Sequence, residues 1–313
     1  MPSTHKIIQK LFTLCVFLCV ILFISSCNMI SSDNYEQAAS ETLITAKTFT
    51  TTNTLSGFGG ANMESDEMKT VQKELDNIIR QGKMVSFVVI NTKTQKGFSY
   101  NADRVCVGKS TIKAPYISSL LMSDAKIFDC DKDAIKKAIT YSNNDSYKYL
   151  RSKYGNDIFK DFCSSVDVDT SKCTENFPRN MTVRDLAKMW AKMYPFLLGN
   201  NNSSPSLHEF VSYFKCTAYS PFSTLFWRDC DVYSKAGWDE GISVDDETGL
   251  LGKIPDANMI DGDPLNNEEA MNDTGIVCAP NGDYIFAYFS DFPAITDLMY
   301  PLILAINDAE IAM

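Results

Sequence analysis

Strand-like segments occur in two groups that lie far apart in the sequence. The first group is Val85–Ile90 with Gly97–Tyr100, and the second is Asp231–Ser234, Gly275–Cys278 and Tyr284–Ser290. β-Branched and aromatic residues dominate these runs, as is typical of strands. Because the sequence between the groups has mainly helical patterns, the simplest arrangement is one antiparallel sheet with a helical lobe set aside.

Helical patterns fill the middle of the chain and flank the strands. Apolar residues recur at helical spacing in Asp66–Gln81, and Thr182 with Asp185 resembles a capping box. For residues 65–313 we predict an α+β fold. An α/β lobe (residues 65–109 and 228–313) has an antiparallel sheet flanked by helices, and residues 110–227 form an all-helical lobe. The other predicted helices are Asp133–Tyr141, Ser146–Tyr154, a segment around Leu207–Tyr213, and Thr296–Met313.

The first residues have the pattern of an export signal. Basic residues precede Leu11–Ile24, an apolar run that is short for a membrane-spanning helix but fits a signal peptide. The small residues that follow end at Cys27, and this junction resembles the lipobox of bacterial lipoproteins, whose cysteine is acylated. We predict a signal peptide at 1–26, a lipidated tether at 27–64, and export to the outer face of a bacterial cell membrane with a lipid anchor. An uncleaved membrane anchor is the alternative.

The composition argues against several classes of function. The net charge of -10 and an isoelectric point near 4.8 leave no basic surface for nucleic acid. His5 and His208 are the only histidines and no nucleophile-elbow motif occurs, so neither a Ser-His-Asp triad nor a zinc-ligand set is predicted. We expect no metal, no cofactor and a monomer.

The chain has ten cysteines, and three of them (Cys15, Cys19 and Cys27) fall in the leader and at its end. Seven cysteines therefore remain in the domain that is predicted to be exported. An odd number cannot pair completely within one chain. Cys163/Cys173 and Cys216/Cys230 are each close enough in sequence to close a small disulfide loop. Buried free thiols are the alternative for both pairs.

The segment 239–273 is strongly acidic, with eleven acidic residues and one basic residue. Asp256, Asn258 and Asp261 begin like a calcium-binding loop, but Ile260 and Gly262 stand at the wrong positions for one. We therefore predict a solvated loop.

The sequence Ser110-Thr111-Ile112-Lys113 follows a strand-like run and opens an apolar one, so it predicts the start of a buried helix. Ser110 and Lys113, three residues apart, share one helix face. A desolvated lysine near other cations is partly neutral at pH 7 and can accept the proton of a serine. Backbone N–H groups of the first turn can stabilise an oxyanion. However, S-x-x-K occurs four times in this chain, and a serine at a helix start is usually an N-cap.

Two further motifs follow in a defined order. The S-x-N motif at Ser142–Asn144 lies between two predicted helices, and the K-x-G motif at Lys235–Gly237 ends a predicted strand. Together with S-x-x-K they make up the motif set of class A β-lactamases and penicillin-binding proteins. From about Thr70 to its end, the chain therefore resembles the penicillin-recognising serine hydrolases, class A β-lactamases in particular. The resemblance implies a β-lactamase/transpeptidase-like fold.

The resemblance also implies a role for each catalytic side chain. Ser110 would be the nucleophile and Lys113 the base for its acylation. Ser142 would relay a proton to the leaving nitrogen, and Lys235 would set the electrostatics of the site.

The same resemblance implies the substrate-binding residues. Asn144 would hold the substrate amide, and the backbone N–H groups of Ser110 and Trp238 would form the oxyanion hole. Ala236 and Gly237 complete the strand beside which the substrate would lie. The expected partner is a β-lactam or a small molecule derived from peptidoglycan.

Three departures from the family pattern bear on activity. Ala236 replaces the Thr or Ser whose hydroxyl binds the substrate carboxylate. The glutamate that positions the deacylating water is absent from the expected loop, Asp157–Asn180, and Glu175 does not align with it. The interval from Ser110 to Ser142 is also shorter than in class A enzymes.

Three functions fit the sequence. The first is a serine hydrolase that is acylated by β-lactams and hydrolyses them slowly. The second is a peptidase or esterase of the same superfamily that acts on cell-wall peptides with D-Ala-D-Ala-type ends or on other acyl groups. The third is a protein that binds penicillin or wall fragments, as a sensor, without turnover.

Overall fold

The computed structural model describes residues 53–199, 204–239, 242–244, 251–253, 270–292 and 297–313. The predicted signal peptide, the lipidation site Cys27, the tether up to residue 52 and most of the acidic segment lie outside the described residues. Among the helices of the described part, none combines the length and the apolar character that crossing a membrane requires.

A six-stranded antiparallel sheet is the centre of the fold. The strands are β1 (Leu55–Phe58), β2 (Val85–Asn91), β3 (Gly97–Tyr100), β4 (Val232–Asp239), β5 (Ile242–Val244), β6 (Leu251–Lys253), β7 (Ala270–Val277) and β8 (Tyr284–Ser290). The six-stranded sheet has the order β1-β3-β2-β8-β7-β4, and β5 pairs with β6 separately. Both predicted strand groups join this sheet, so the prediction of one antiparallel sheet is confirmed.

Helices cover both faces of the sheet. They are α1 (Asp66–Arg80), α2 (Lys113–Ser123), α3 (Lys126–Thr140), α4 (Asn144–Tyr154), α5 (Asp157–Ser165), α6 (Val183–Leu198), α7 (Pro205–Lys215), α8 (Pro221–Phe226) and α9 (Tyr300–Ile311). One core contains α2 to α7 with Val88 and Ile90 of β2, and the other contains α1, α8 and α9 with Phe87 and Val89. Alternate residues of β2 thus enter different cores, because successive side chains of a strand point to opposite faces.

The sheet begins inside the segment predicted as a tether. β1 pairs with β3, with Leu55 opposite Tyr100, and Phe58 is buried. A short edge strand is held mainly by backbone hydrogen bonds, so its composition can resemble that of a linker.

The predicted loop Asp157–Asn180 begins with helix α5 and continues with a 3₁₀ turn, Thr170–Cys173. The loop prediction is wrong for these residues. Phe159, Phe162 and Cys163 follow helical spacing and are buried, which explains the helix. A disulfide joins Cys163 to Cys173 and closes this segment on itself.

Both strands that border the acidic segment are longer than predicted. β4 carries the K-x-G motif in its interior, and β7 begins at Ala270. Asp273 is therefore buried in β7, and the solvated-loop prediction is wrong for residues 270–273 as well as for strands β5 and β6. Cys216 and Cys230 remain separate thiols.

Candidate active site

Ser110 lies in a 3₁₀ turn, Lys109–Ile112, that leads directly into α2. No side chain caps this turn or α2, so the alternative of Ser110 as an N-cap is not found. Ser110 is half-buried, whereas Ser123 and Ser212, which begin the other two described S-x-x-K sequences, are exposed.

Hydrogen bonds hold the segment before Ser110 against both lobes. Cys106 and Met181 exchange backbone hydrogen bonds of 2.8 and 3.0 Å. Asn272 of β7 donates from Nδ2 to the carbonyl oxygen of Val107 at 2.9 Å. The turn that carries Ser110 is therefore anchored to the residues before α6 and to the sheet.

Lys113 is completely buried one turn after Ser110. Its amine faces two aromatic rings, with Nζ 5.7 Å from the centroid of Tyr147 and 5.6 Å from that of Phe177. Nζ donates hydrogen bonds to the backbone oxygen of Ser142 and, at 2.6 Å, to Oδ1 of Asn144. The S-x-x-K and S-x-N motifs thus meet at the amine of Lys113.

The hydroxyl of Ser142 lies between two buried amines. Lys235 Nζ donates to Ser142 Oγ at 2.9 Å, and Lys113 Nζ lies 3.2 Å from the same oxygen. A neutral lysine amine has two N–H donors, which the backbone oxygen of Ser142 and Oδ1 of Asn144 can satisfy, and a lone pair that accepts a proton. Ser142 is therefore placed to pass a proton between Lys235 and Lys113.

The backbone is strained at Lys109, directly before the proposed nucleophile, and at Ser142. Lys109 and Ser142 have φ angles of 50° and 60°, in the left-handed region that non-glycine residues rarely adopt. Such strain persists where the surrounding structure holds it, and it is concentrated at functional sites.

Burial lowers the pKa of both lysines. It holds the pKa of Lys113 well below the usual value, and the nearby charges of Lys235 and Lys148 lower it further. Burial also lowers the pKa of Lys235 to about 7, while the buried carboxyl group of Asp273 opposes that change. An amine whose pKa is lowered in this way can accept a proton near pH 7.

Gly237 lets β4 approach the nucleophile closely. A Cβ atom built on Gly237 would lie 2.6 Å from Ser110 N, 2.9 Å from Thr111 N and 3.0 Å from Gly108 O. All three atoms belong to the backbone, so a side chain at residue 237 would push the strand and the turn apart.

We expect Gly237→Ala to slow acylation of Ser110 by about ten- to a hundred-fold, because a shift of about 1 Å misplaces the donors of an oxyanion hole. The second-order acylation rate constant measures this loss. Gly82→Ala is the control for a general loss of stability, since nothing lies within 4 Å of its added Cβ but its φ of 71° strains an alanine. It should lower the free energy of unfolding and leave the acylation rate unchanged. Acylation of Gly237→Ala at the wild-type rate would contradict the close approach.

The other predicted substrate-binding residues, Ala236, Trp238 and Asn144, differ from one another in how far their side chains are exposed. Ala236 is 0% exposed and faces Asp273 in the β4–β7 register, so its side chain is not open to a ligand. Trp238 is half-buried and packs on Tyr219, with ring centroids 5.0 Å apart. Asn144 is exposed at the start of α4.

The loop in which the resemblance predicts a glutamate presents an aromatic ring to the site. Phe177 faces Lys113, as described above, while Glu175 is exposed and its backbone oxygen accepts a hydrogen bond from Arg151. Sequence reasoning did not single out Phe177, Tyr147 or Asp273. Among the described residues, no group of three or more His, Cys, Asp or Glu could hold a metal ion.

Several solved β-lactamase structures have a similar architecture. A β-lactamase from Sphaerobacter thermophilus is similar with a TM-score of 0.52 and 17% identity over 77% of this chain and 94% of that one. A β-lactamase from Chitinophaga pinensis has a TM-score of 0.54 and 13% identity over 78% of this chain and 98% of that one. The extended-spectrum β-lactamase TLA-1 has a TM-score of 0.54 and 12% identity over 79% of this chain and 100% of that one. The chain therefore has the β-lactamase-like fold predicted above.

Sequence comparison adds nothing to this result. No protein-family profile matches the chain, and no curated protein matches it significantly. At such low identities the likeness shows the fold alone, and the activity has to be argued from the site.

Proposed function

We propose that this protein is a serine hydrolase of the β-lactamase and penicillin-binding superfamily, acylated at Ser110. The single observation that carries the proposal is the hydroxyl of Ser142 placed between the buried amines of Lys113 and Lys235. Two lysines with lowered pKa values around one hydroxyl suit proton transfer at an acyl centre.

The proposed acylation step uses these groups. Neutral Lys113 accepts the hydroxyl proton of Ser110 as Oγ forms a bond to the substrate carbonyl carbon. The backbone N–H groups of Ser110 and Trp238 bind the developing oxyanion. As the C–N bond breaks, Ser142 donates its proton to the leaving nitrogen and recovers one from the adjacent lysines.

Hydrolysis of the acyl-enzyme is expected to be the slow step. Water needs a general base to attack the ester, and removing such a base costs roughly 10²- to 10⁴-fold in its step. Phe177 of the same loop lies with its ring centroid 5.6 Å from Lys113 Nζ, and Glu175 is exposed. The ring of Phe177 cannot accept a proton, so it does not replace the missing carboxylate.

We therefore expect a burst of one product equivalent per enzyme, followed by a slow phase, when the protein is mixed with a chromogenic cephalosporin. Stopped-flow absorbance measures both phases. The Ser110→Ala variant, which has no nucleophile, should give neither phase. Linear hydrolysis from the first turnover, at a rate typical of efficient enzymes, would show that another residue activates the water.

A peptidase or esterase of the same superfamily is the second candidate. The closed environment of Ala236 favours the esterase within this candidate, because it offers no hydroxyl to the carboxylate that penicillins and D-Ala-terminated peptides share. Labelling with a fluorescent penicillin, and the lifetime of the adduct, separates the candidates. A permanent adduct would favour the third candidate, a binding or sensor protein.

We further propose that the protein is a monomer held on the outer face of a bacterial cell membrane by lipid on Cys27. The apolar leader and the small residues before Cys27 support this location. Neither an uncleaved leader nor a lipid anchor would alter the chemistry proposed for Ser110.

A further inference from the structure

Two aromatic rings cover the amine of Lys113. The rings of Tyr147 and Phe177 both face its Nζ, and their centroids lie 5.6 Å apart. Tyr147 belongs to α4 and is completely buried, whereas Phe177 follows the 3₁₀ turn Thr170–Cys173 and is half-buried. The surroundings of the amine therefore depend on two segments that are far apart in the sequence.

Arg151 contacts both of these segments. It lies one turn after Tyr147 on α4, on the same face of the helix, and is 6% exposed. Its Nη1 donates a hydrogen bond to Tyr147 Oη at 3.3 Å. Its Nη2 donates at 2.8, 3.3 and 3.1 Å to three successive backbone oxygens, those of Cys173, Thr174 and Glu175. These three residues lead directly to Phe177, so one guanidinium group holds the supports of both rings.

Aromatic rings hold the guanidinium group of Arg151 in turn. Its central carbon lies 4.6 Å from the ring centroid of Tyr116 and 5.8 Å from those of Tyr147 and Phe159. A guanidinium group is planar and rigid, so stacking on rings also fixes the directions of its five N–H donors. Lysine carries the same charge, but its ammonium group has three N–H donors on a flexible stem and cannot serve all four acceptors at once.

Burial is the largest influence on the pKa of Lys113. It lowers that pKa, and the charges of Lys235 on β4 and Lys148 on α4 lower it further. Tyr147 is the titratable side chain whose ring faces the amine. α3, α5 and α6 also pack on α2, and the residues that they contribute to the shared core are apolar. Water that reached the amine would therefore raise its pKa toward the usual value.

We propose that Arg151 is a positioning residue for acylation, which fixes Tyr147 and Phe177 so that water does not reach the amine of Lys113. This inference rests on the proposed function, in which that amine accepts the proton of Ser110. Arg151 acts through the two rings and contacts no reacting atom. Without the cover, hydration favours the protonated amine, which cannot accept a proton. Acylation then falls at lower pH and returns at higher pH, where the amine is neutral again.

The test is the pH dependence of acylation by a fluorescent penicillin, measured as the second-order rate constant from pH 5 to 9.5. In Arg151→Lys, which keeps the positive charge, we expect the midpoint of the rate profile to rise by about one pH unit. Below the wild-type midpoint the rate then falls about ten-fold, and at pH 9.5 it approaches the wild-type rate. A merely structural loss would lower the rate by the same factor at every pH.

Asn156→Ala is the matched control. Asn156 donates from Nδ2 at 3.3 Å to the backbone oxygen of Thr174, one of the three oxygens that Arg151 binds. Its replacement removes a hydrogen bond to the same loop and leaves Arg151 in place. The midpoint of the profile should therefore stay at the wild-type value.

Phe177→Ala tests the cover without touching Arg151, and circular dichroism shows whether each variant folds. It should move the midpoint in the same direction as Arg151→Lys. A wild-type midpoint in folded Arg151→Lys overturns the positioning role and leaves Ser110 as the nucleophile. If Arg151→Lys does not fold, Phe177→Ala decides, and a wild-type midpoint there overturns the cover and the role of Arg151 with it. Absence of an adduct on Ser110 in the wild type at every pH overturns the proposed function instead, and this inference with it.

Discussion

Replacing Ser110 by alanine is expected to abolish covalent labelling by penicillins while the fold persists. The change removes the attacking oxygen and touches little else, because the side chain is half-buried and caps no helix. Loss of a nucleophile in an enzyme of this kind leaves only the slow reaction supported by binding. Mass spectrometry of the intact protein after incubation with a β-lactam measures the adduct.

The chain contains its own control for this substitution. Ser123 begins another S-x-x-K sequence at the end of α2, is exposed, and lies outside the group of contacts around Lys113. The Ser123→Ala variant should be labelled by the β-lactam at the wild-type rate. An adduct on Ser110→Ala at any other residue would remove Ser110 from the proposed mechanism.

The parts of the site that were predictable depend on local spacing. Ser110 and Lys113 are three residues apart, so any helical turn brings them to one face, and the two later motifs are each short enough to be recognised as sequence. Thr182 and Asp185 form the predicted capping box. None of these features needs knowledge of how distant segments pair.

Asp273 shows what the sequence could not provide. It ends a run of acidic residues, and composition alone favours solvent for such a run. Its burial follows from the pairing of β4 with β7, in which Ala236 faces Asp273, and this register is a long-range property. The position of Phe177 was also unpredictable, because an aromatic residue in an irregular loop has no sequence pattern that indicates its contact with Lys113.

The strand β1 was missed for a related reason. Its four residues, Leu55–Phe58, have no alternation strong enough to distinguish them from the Ser- and Thr-rich segment around them. Pairing with β3 supplies the stability that the composition lacks.

Replacing Lys113 by methionine is expected to reduce the acylation rate by roughly 10²- to 10⁴-fold, the usual contribution of a general base. Methionine is also unbranched and fills a similar volume between Tyr147 and Phe177. Removing a buried amine relieves a desolvation cost that offsets the lost hydrogen bonds, so we expect the unfolding midpoint to fall by no more than a few degrees. Acylation kinetics and thermal denaturation on the same samples measure both effects.

The variant Lys188→Met is the matched control for Lys113→Met, because it also removes a buried lysine but one that lies outside the site. Lys188 is 5% exposed and donates to the backbone oxygen of Asp167 at 2.9 Å, away from the contacts of Ser142. Its replacement should lower the free energy of unfolding and leave acylation unchanged, the reverse of the result for Lys113→Met. If both variants acylate at the wild-type rate, Lys113 is a structural lysine as well, and the proton of Ser110 must leave by another route.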